Sequence, residues 1–121
     1  MAKKIMVVDD EPHLVELLGA ILETEGYEVI RCHDGREAIE KLETVIPNLV
    51  VLDMMMPGMS GREVCEQIRK NPKTKNLKVI FLTVARFSET GKDVLKKLNV
   101  ADYLTKPFEN SDLINRIKKA L

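Results

Sequence analysis

The chain has 121 residues, 45% of them apolar, and its 19 Lys+Arg balance 19 Asp+Glu. A chain of this length makes one domain and buries enough surface to fold without a disulfide or a structural metal. Zero total charge excludes the broad basic excess of a nonspecific nucleic-acid binder, leaving room only for a local patch, so nucleic acid is not an expected partner. No apolar run approaches the ~20 residues of a membrane span, and Met1-Ala2-Lys3-Lys4 does not open a signal peptide. The two cysteines, Cys32 and Cys65, lack any partner spacing that reads as a zinc site and are expected as reduced thiols. Together these features predict a cytoplasmic protein with no membrane partner.

The first apolar run, Ile5 to Val8, is continuous rather than alternating, which suits a strand covered on both faces. From Pro12 the spacing predicts a helix with Leu14, Leu18 and Ile21 on one stripe, Leu17 and Leu22 beside it, and Gly26 as its stop. Glu28 to Cys32 is a more polar strand, as an edge requires. Asp34 caps a second helix carrying Ala38, Ile39 and Leu42, which Pro47 prevents from running on. Leu49 to Leu52 is a third strand, and Ser60 caps a third helix with Val64 and Ile68 that ends before Asn71-Pro72. Val79 to Leu82 is a fourth strand. A fourth helix contains Val94, Leu95 and Leu98 and starts between Val84 and Gly91. Asp102 to Leu104 is a short strand for the other edge. The last helix, capped at Asn110 or Ser111, carries Leu113, Ile114, Ile117 and Leu121.

Five βα units with right-handed crossovers are too few for an eight-fold barrel and predict an α/β fold with an open, doubly wound parallel sheet. No proline- or glycine-rich linker interrupts the chain, so residues 1–121 are expected to be a single domain without an output domain. Chemically useful side chains recur just after strands: Asp9, Asp10 and Glu11 after the first, Asp53 at the end of the third, Thr83 at the end of the fourth, Lys106 after the fifth. In an open parallel sheet these all lie at the carboxyl edge, where ligands bind. The flavodoxin-like strand order 2-1-3-4-5, borrowed from that architecture, sets the first and third strands side by side and brings Asp9, Asp10 and Asp53 together.

Three close carboxylates repel one another, each pair by about 4 kcal/mol at 4 Å and an effective dielectric near 20. Protonation or a divalent cation relieves this, and an all-oxygen cluster favours Mg2+. With Lys106 and the Thr83 hydroxyl, the set resembles the parts that stabilise a phosphoryl group in transfer.

The segments Val7 to Pro12, Leu52 to Gly61, Leu82-Thr83 and Tyr103 to Phe108 resemble the receiver domain of two-component response regulators, in order and along the whole chain. That resemblance implies that Asp53 accepts a phosphoryl group from the phosphohistidine of a sensor histidine kinase or histidine phosphotransfer protein. It implies that Asp10, Asp53 and the backbone carbonyl of Met55 ligate Mg2+, that Asp9 acts through the metal's water, and that Lys106 contacts a phosphoryl oxygen. The Lys106–Pro107 bond is expected to be cis. Thr83 and Tyr103 are implied as the switch pair. The surface of the fourth helix, fifth strand and fifth helix then alters binding of a downstream protein, as a monomer or a phosphorylation-dependent dimer.

The chain departs from the family pattern in a few places. Val84 replaces a small residue and is expected to crowd the phosphoryl group or hinder Tyr103. The stretch Asn99-Val100-Ala101 lacks a common glycine, and Ser60 stands for a common Asp. Met55 and Ala85 hold flanking positions where polar groups orient an attacking water, which predicts a long-lived aspartyl phosphate. The alternative reading is a magnesium-dependent small-molecule phosphohydrolase on a related fold, though Asp9-Asp10-Glu11 lacks the Asp-x-Asp spacing common to such enzymes. A flavin carrier needs a hydroxyl- and glycine-rich phosphate loop in place of these acids. His13 and His33 lack partners at ligand spacing. Met54, Met55 and Met56 read as loop and core packing, and Arg116, Lys118 and Lys119 as a solvated helix face.

Overall fold

The structure, a computed structural model, describes residues 2–84 and 96–121. The apolar runs form β1 (Lys4–Val8), β3 (Leu49–Asp53) and β4 (Lys78–Thr83), and β2 (Glu28–Cys32) and β5 (Asp102–Thr105) flank them. All pairings are parallel, in the order β2-β1-β3-β4-β5. The three inner strands are buried except at their first residue or throughout, and the two edge strands are only partly covered, which is why they could tolerate Glu28, Arg31 and Asp102.

Alternation along each strand divides the core in two. Met6, Val8, Val50, Leu52, Val79 and Phe81 face one side, where α2 (Gly35–Leu42) and α3 (Gly61–Lys70) add Ala38, Leu42, Val64, Cys65 and Ile68. Ile5, Val7, Leu49, Val51, Ile80 and Leu82 face the other, covered by Leu18 and Leu22 of α1 (Pro12–Thr24) and Leu113 and Ile117 of the C-terminal helix, Asn110–Ala120. Both cysteines are buried and unpaired.

The caps follow local chemistry. Asp34 accepts from the Glu37 N–H at 2.7 Å, and Ser60 with Glu63 forms a reciprocal capping box. Gly26, at φ 91°, lets the chain leave α1. Asn99, at φ 54°, takes the left-handed conformation in the stretch that lacks a glycine, a conformation asparagine tolerates.

Two expectations need correction. The buried face of α1 is Val15, Leu18, Gly19 and Leu22, while Leu14 and Ile21 are half-buried and Leu17 is 52% exposed. The helix is turned because the Arg31 guanidinium from β2 lies over Gly19, where any Cβ would collide with it, and pairs with Glu23 at 2.9 Å. The last helix is capped by neither Asn110 nor Ser111; Glu109 is its N-cap residue and uses no side-chain bond. Phe108 packs against the core just ahead, so helical geometry begins one residue early. Val94, Leu95 and the start of the expected fourth helix lie outside the described residues, whereas Leu98 is buried in the α2–α3 core.

Candidate functional site

Parallel register brings the site together. Val8 pairs with Leu52, so the next residues, Asp9 and Asp53, sit side by side where β1 and β3 end. Asp53 aligns with Leu82, which places Thr83 one step beyond it on β4. Thr83 pairs with Thr105, and the Thr83 carbonyl accepts from the Lys106 N–H at 2.6 Å. The Lys106–Pro107 peptide is cis, as expected.

The side chains converge as well. Asp9 is fully buried and Asp53 and Thr83 are each 4% exposed, whereas Asp10 lies open to solvent. Carboxylate oxygens of Asp9, Asp10 and Asp53 lie within 4.8 Å of one another. Lys106 Nζ donates to Asp9 Oδ2 at 2.8 Å and stands 3.6 Å from Asp53 Oδ1. Asp9 Oδ1 accepts from the Glu11 N–H at 2.9 Å, and Asp53 Oδ1 accepts from the Met55 N–H at 3.3 Å.

One cation cannot neutralise three acids. Burial, then the Asp9 charge, pushes the Asp53 carboxyl up from 3.8 to about 6, with the Asp10 side chain adding to it; Lys106 and the Met55 N–H oppose the rise. Burial pulls the Lys106 ammonium down, but its bond to Asp9 and the charges of Asp9, Asp53 and Glu11 outweigh that and raise it. The site therefore holds a surplus of negative charge on oxygen ligands alone. That donor set fits a hard divalent cation with several retained waters.

Among the described residues, the others predicted from sequence lie on β5 or just after β3 and β4. Tyr103 is half-buried against the α2–α3 core, its N–H bonded to Asp102 Oδ1 and its carbonyl accepting from Arg116 at 3.3 Å. The Met55 side chain is 69% exposed, while Met56 is buried and Met54 packs against the core. Val84 is 65% exposed beside buried Thr83. Ala85 lies outside the described residues.

Gly61 is a positioning residue that residue types did not single out. Its N–H donates to the Met54 carbonyl at 3.1 Å, and a Cβ there would overlap the Asp53 carbonyl oxygen and lie 2.8 Å from Met54 Cα. The signal available was a glycine in the first turn of a helix, where it costs stability and needs a reason.

Over residues 5–118 the chain matches the family model described as the response regulator receiver domain. It belongs to that family. It is 44% identical over its whole length to the alkaline phosphatase synthesis transcriptional regulatory protein PhoP of Bacillus subtilis (strain 168), and it spans about half the length of that relative, 49%. Among solved structures it resembles the chemotaxis protein CheY4 of Vibrio cholerae, with a TM-score of 0.93 at 28% identity and full coverage of both chains. It also resembles the response regulator TrrA of Thermotoga maritima, solved in complex with Mg2+ and BeF, with a TM-score of 0.84, 41% identity and coverage of 98% and 99%. Receiver domains are the phosphoacceptors of two-component systems: signalling domains, generally not enzymes, that interact with histidine kinases or phosphotransfer proteins. No described helix of this receiver is long and apolar enough to cross a membrane.

Proposed function

We propose that Asp53 is the phosphoacceptor of this receiver domain and that residues 1–121 act as one switch unit. The observation that carries the reading is the buried acidic pair, Asp9 and Asp53, bridged by Lys106 at one strand edge. An Asp53 carboxylate oxygen attacks the phosphorus of a partner's phosphohistidine; the P–O bond forms as the P–N bond breaks, and the imidazole keeps the electron pair and takes up a proton. Lys106 exchanges part of its contact with Asp9 for a phosphoryl oxygen and neutralises charge as it gathers there. Asp10, Asp53 and the Met55 carbonyl would hold Mg2+ directly and Asp9 through water. The ion would offset the acidic surplus and orient the phosphoryl oxygens.

The aspartyl phosphate adds about two negative charges and three acceptor oxygens at the end of β3. Thr83, one strand away, would donate its hydroxyl to them, and Tyr103 would follow as the switch partner. The affected surface is that of the expected fourth helix, β5 and the C-terminal helix, and a coupling of about 1–3 kcal/mol changes partner affinity 5- to 150-fold. The partners are a histidine kinase or phosphotransfer protein upstream and a protein target downstream. The much longer transcriptional regulator PhoP suggests gene control as the output class.

Intact mass after incubation with Mg2+ and acetyl phosphate tests the reading. The wild type gains one phosphoryl group and Asp53→Asn gains none. Turnover of excess acetyl phosphate without a persistent adduct points instead to a phosphohydrolase, and an adduct on Asp53→Asn overturns the assignment.

A further inference from the structure

The zero total charge conceals a strong imbalance. Residues 1–66 carry 14 acidic and 6 basic side chains, while residues 67–121 carry 5 and 13. In the order β2-β1-β3-β4-β5 this sets an acidic β2 flank against a basic β4–β5 flank. Within the basic part, Lys70, Lys73, Lys75, Lys78, Lys96 and Lys97 are all exposed, and among the described residues none forms an ion pair.

Arg69 ties together the two segments that carry these lysines. Its guanidinium donates to the carbonyls of Lys75 and Leu77 at 3.1 and 2.6 Å, and to those of Leu98 and Asn99 at 2.6 and 3.3 Å. The turn after α3 and the segment before β5 are thereby held side by side at the amino edge of β4. Thr74 fixes the turn from within through its bond to the Ile68 carbonyl, and Asn71 caps it by accepting from the Lys73 N–H. The lysines project from a backbone that is already ordered, which lowers the entropy lost on contact.

We infer that this six-lysine face binds the phosphate backbone of duplex DNA without sequence preference. Protein interfaces need an apolar, aromatic or arginine anchor and are depleted in lysine. Among the described residues the exposed large apolar side chains are Leu17, Ile46, Met55 and Val84, none of which belongs to the segments 69–78 and 96–99 that carry the lysines, and Arg69 is committed to carbonyls. The residues between the lysines include exposed Asn71, Asn76 and Asn99, whose amides suit phosphate oxygens. The acidic flank orients the domain with its lysines toward the duplex, and Asp53 lies at the opposite, carboxyl edge of the sheet, so contact and phosphorylation can coexist. The expectation that nucleic acid is no partner rests on total charge, which does not report this arrangement.

Fluorescence anisotropy with a labelled 20-base-pair duplex of scrambled sequence tests the inference. Binding is expected in the range of roughly 1–100 μM at 50 mM salt, with a log–log salt slope of up to about −5 for six phosphates. Lys73→Glu/Lys75→Glu/Lys97→Glu abolishes it, and the milder Lys→Gln triple at the same positions reduces the slope by about 3. Both variants keep their labelling by acetyl phosphate, which reports an intact fold. No binding at 50 mM salt, or binding that the triple variants leave unchanged, overturns the proposal. Tighter binding to a poly-glutamate peptide or to phosphatidylglycerol vesicles than to the duplex overturns the choice of partner.

Discussion

Replacing Asp53 by Asn should stabilise the metal-free protein at neutral pH. Asp53 is 4% exposed, and its carboxyl is raised from 3.8 to about 6 by burial and then by the Asp9 charge. At 1.36 kcal/mol per tenfold, holding it ionised in the folded state costs about 3 kcal/mol. The folded chain keeps the proton more tightly than the unfolded chain, so between pH 3.8 and about 6 the native state binds more protons and stability falls as pH rises. Above about pH 6 the whole penalty is present; near pH 4 most of it is gone. In urea with EDTA at pH 8, Asp53→Asn should raise the midpoint by about 1.5 M for a slope near 2 kcal/mol/M. The gap should nearly close at pH 4, and saturating Mg2+ at pH 8 should stabilise wild type more than the variant, because the cation removes the same repulsion. Equal midpoints at pH 8, or a gap that ignores pH, would refute the claim that Asp53 is electrostatically strained.

Two further outcomes follow from the same edge of the sheet. Gly61→Ala forces a methyl group onto the Asp53 carbonyl, so a loss of about 1–3 kcal/mol in urea melts and slower labelling by acetyl phosphate are expected. A variant as stable and as fast as wild type would show that the contact relaxes freely. The Met55 side chain is 69% exposed and cannot orient a water, so the aspartyl phosphate should decay more slowly in the wild type than in Met55→Asn/Ala85→Glu. Mass spectrometry over time after removal of donor measures both decays, and equal lifetimes would sink the expectation.

Much of this domain could be read residue by residue. Continuous apolar runs marked the inner strands, polar Glu28 and Arg31 marked an edge, and Asp34 and Ser60 announced their helices, because each signal is local. The residues at the strand ends were legible for the same reason: in a parallel sheet every strand delivers its last side chains to one edge. Where a neighbour from another element decides, local reading fell short. The face of α1 turned on Arg31 crossing from β2 onto Gly19, and Gly61 mattered only because the Asp53 carbonyl sits against it.

The amino-acid sequence by itself determined the class of fold, the inventory of acids, hydroxyl and lysine at the site, and the balance of charge. Tertiary structure alone decided how those charges act. Register buried Asp9 and Asp53 side by side with one ammonium bridging the pair, and Arg69 drew together two lysine-bearing stretches distant in the chain. Coulomb energies depend on separation and burial, and neither can be read along a chain until its folding has set them.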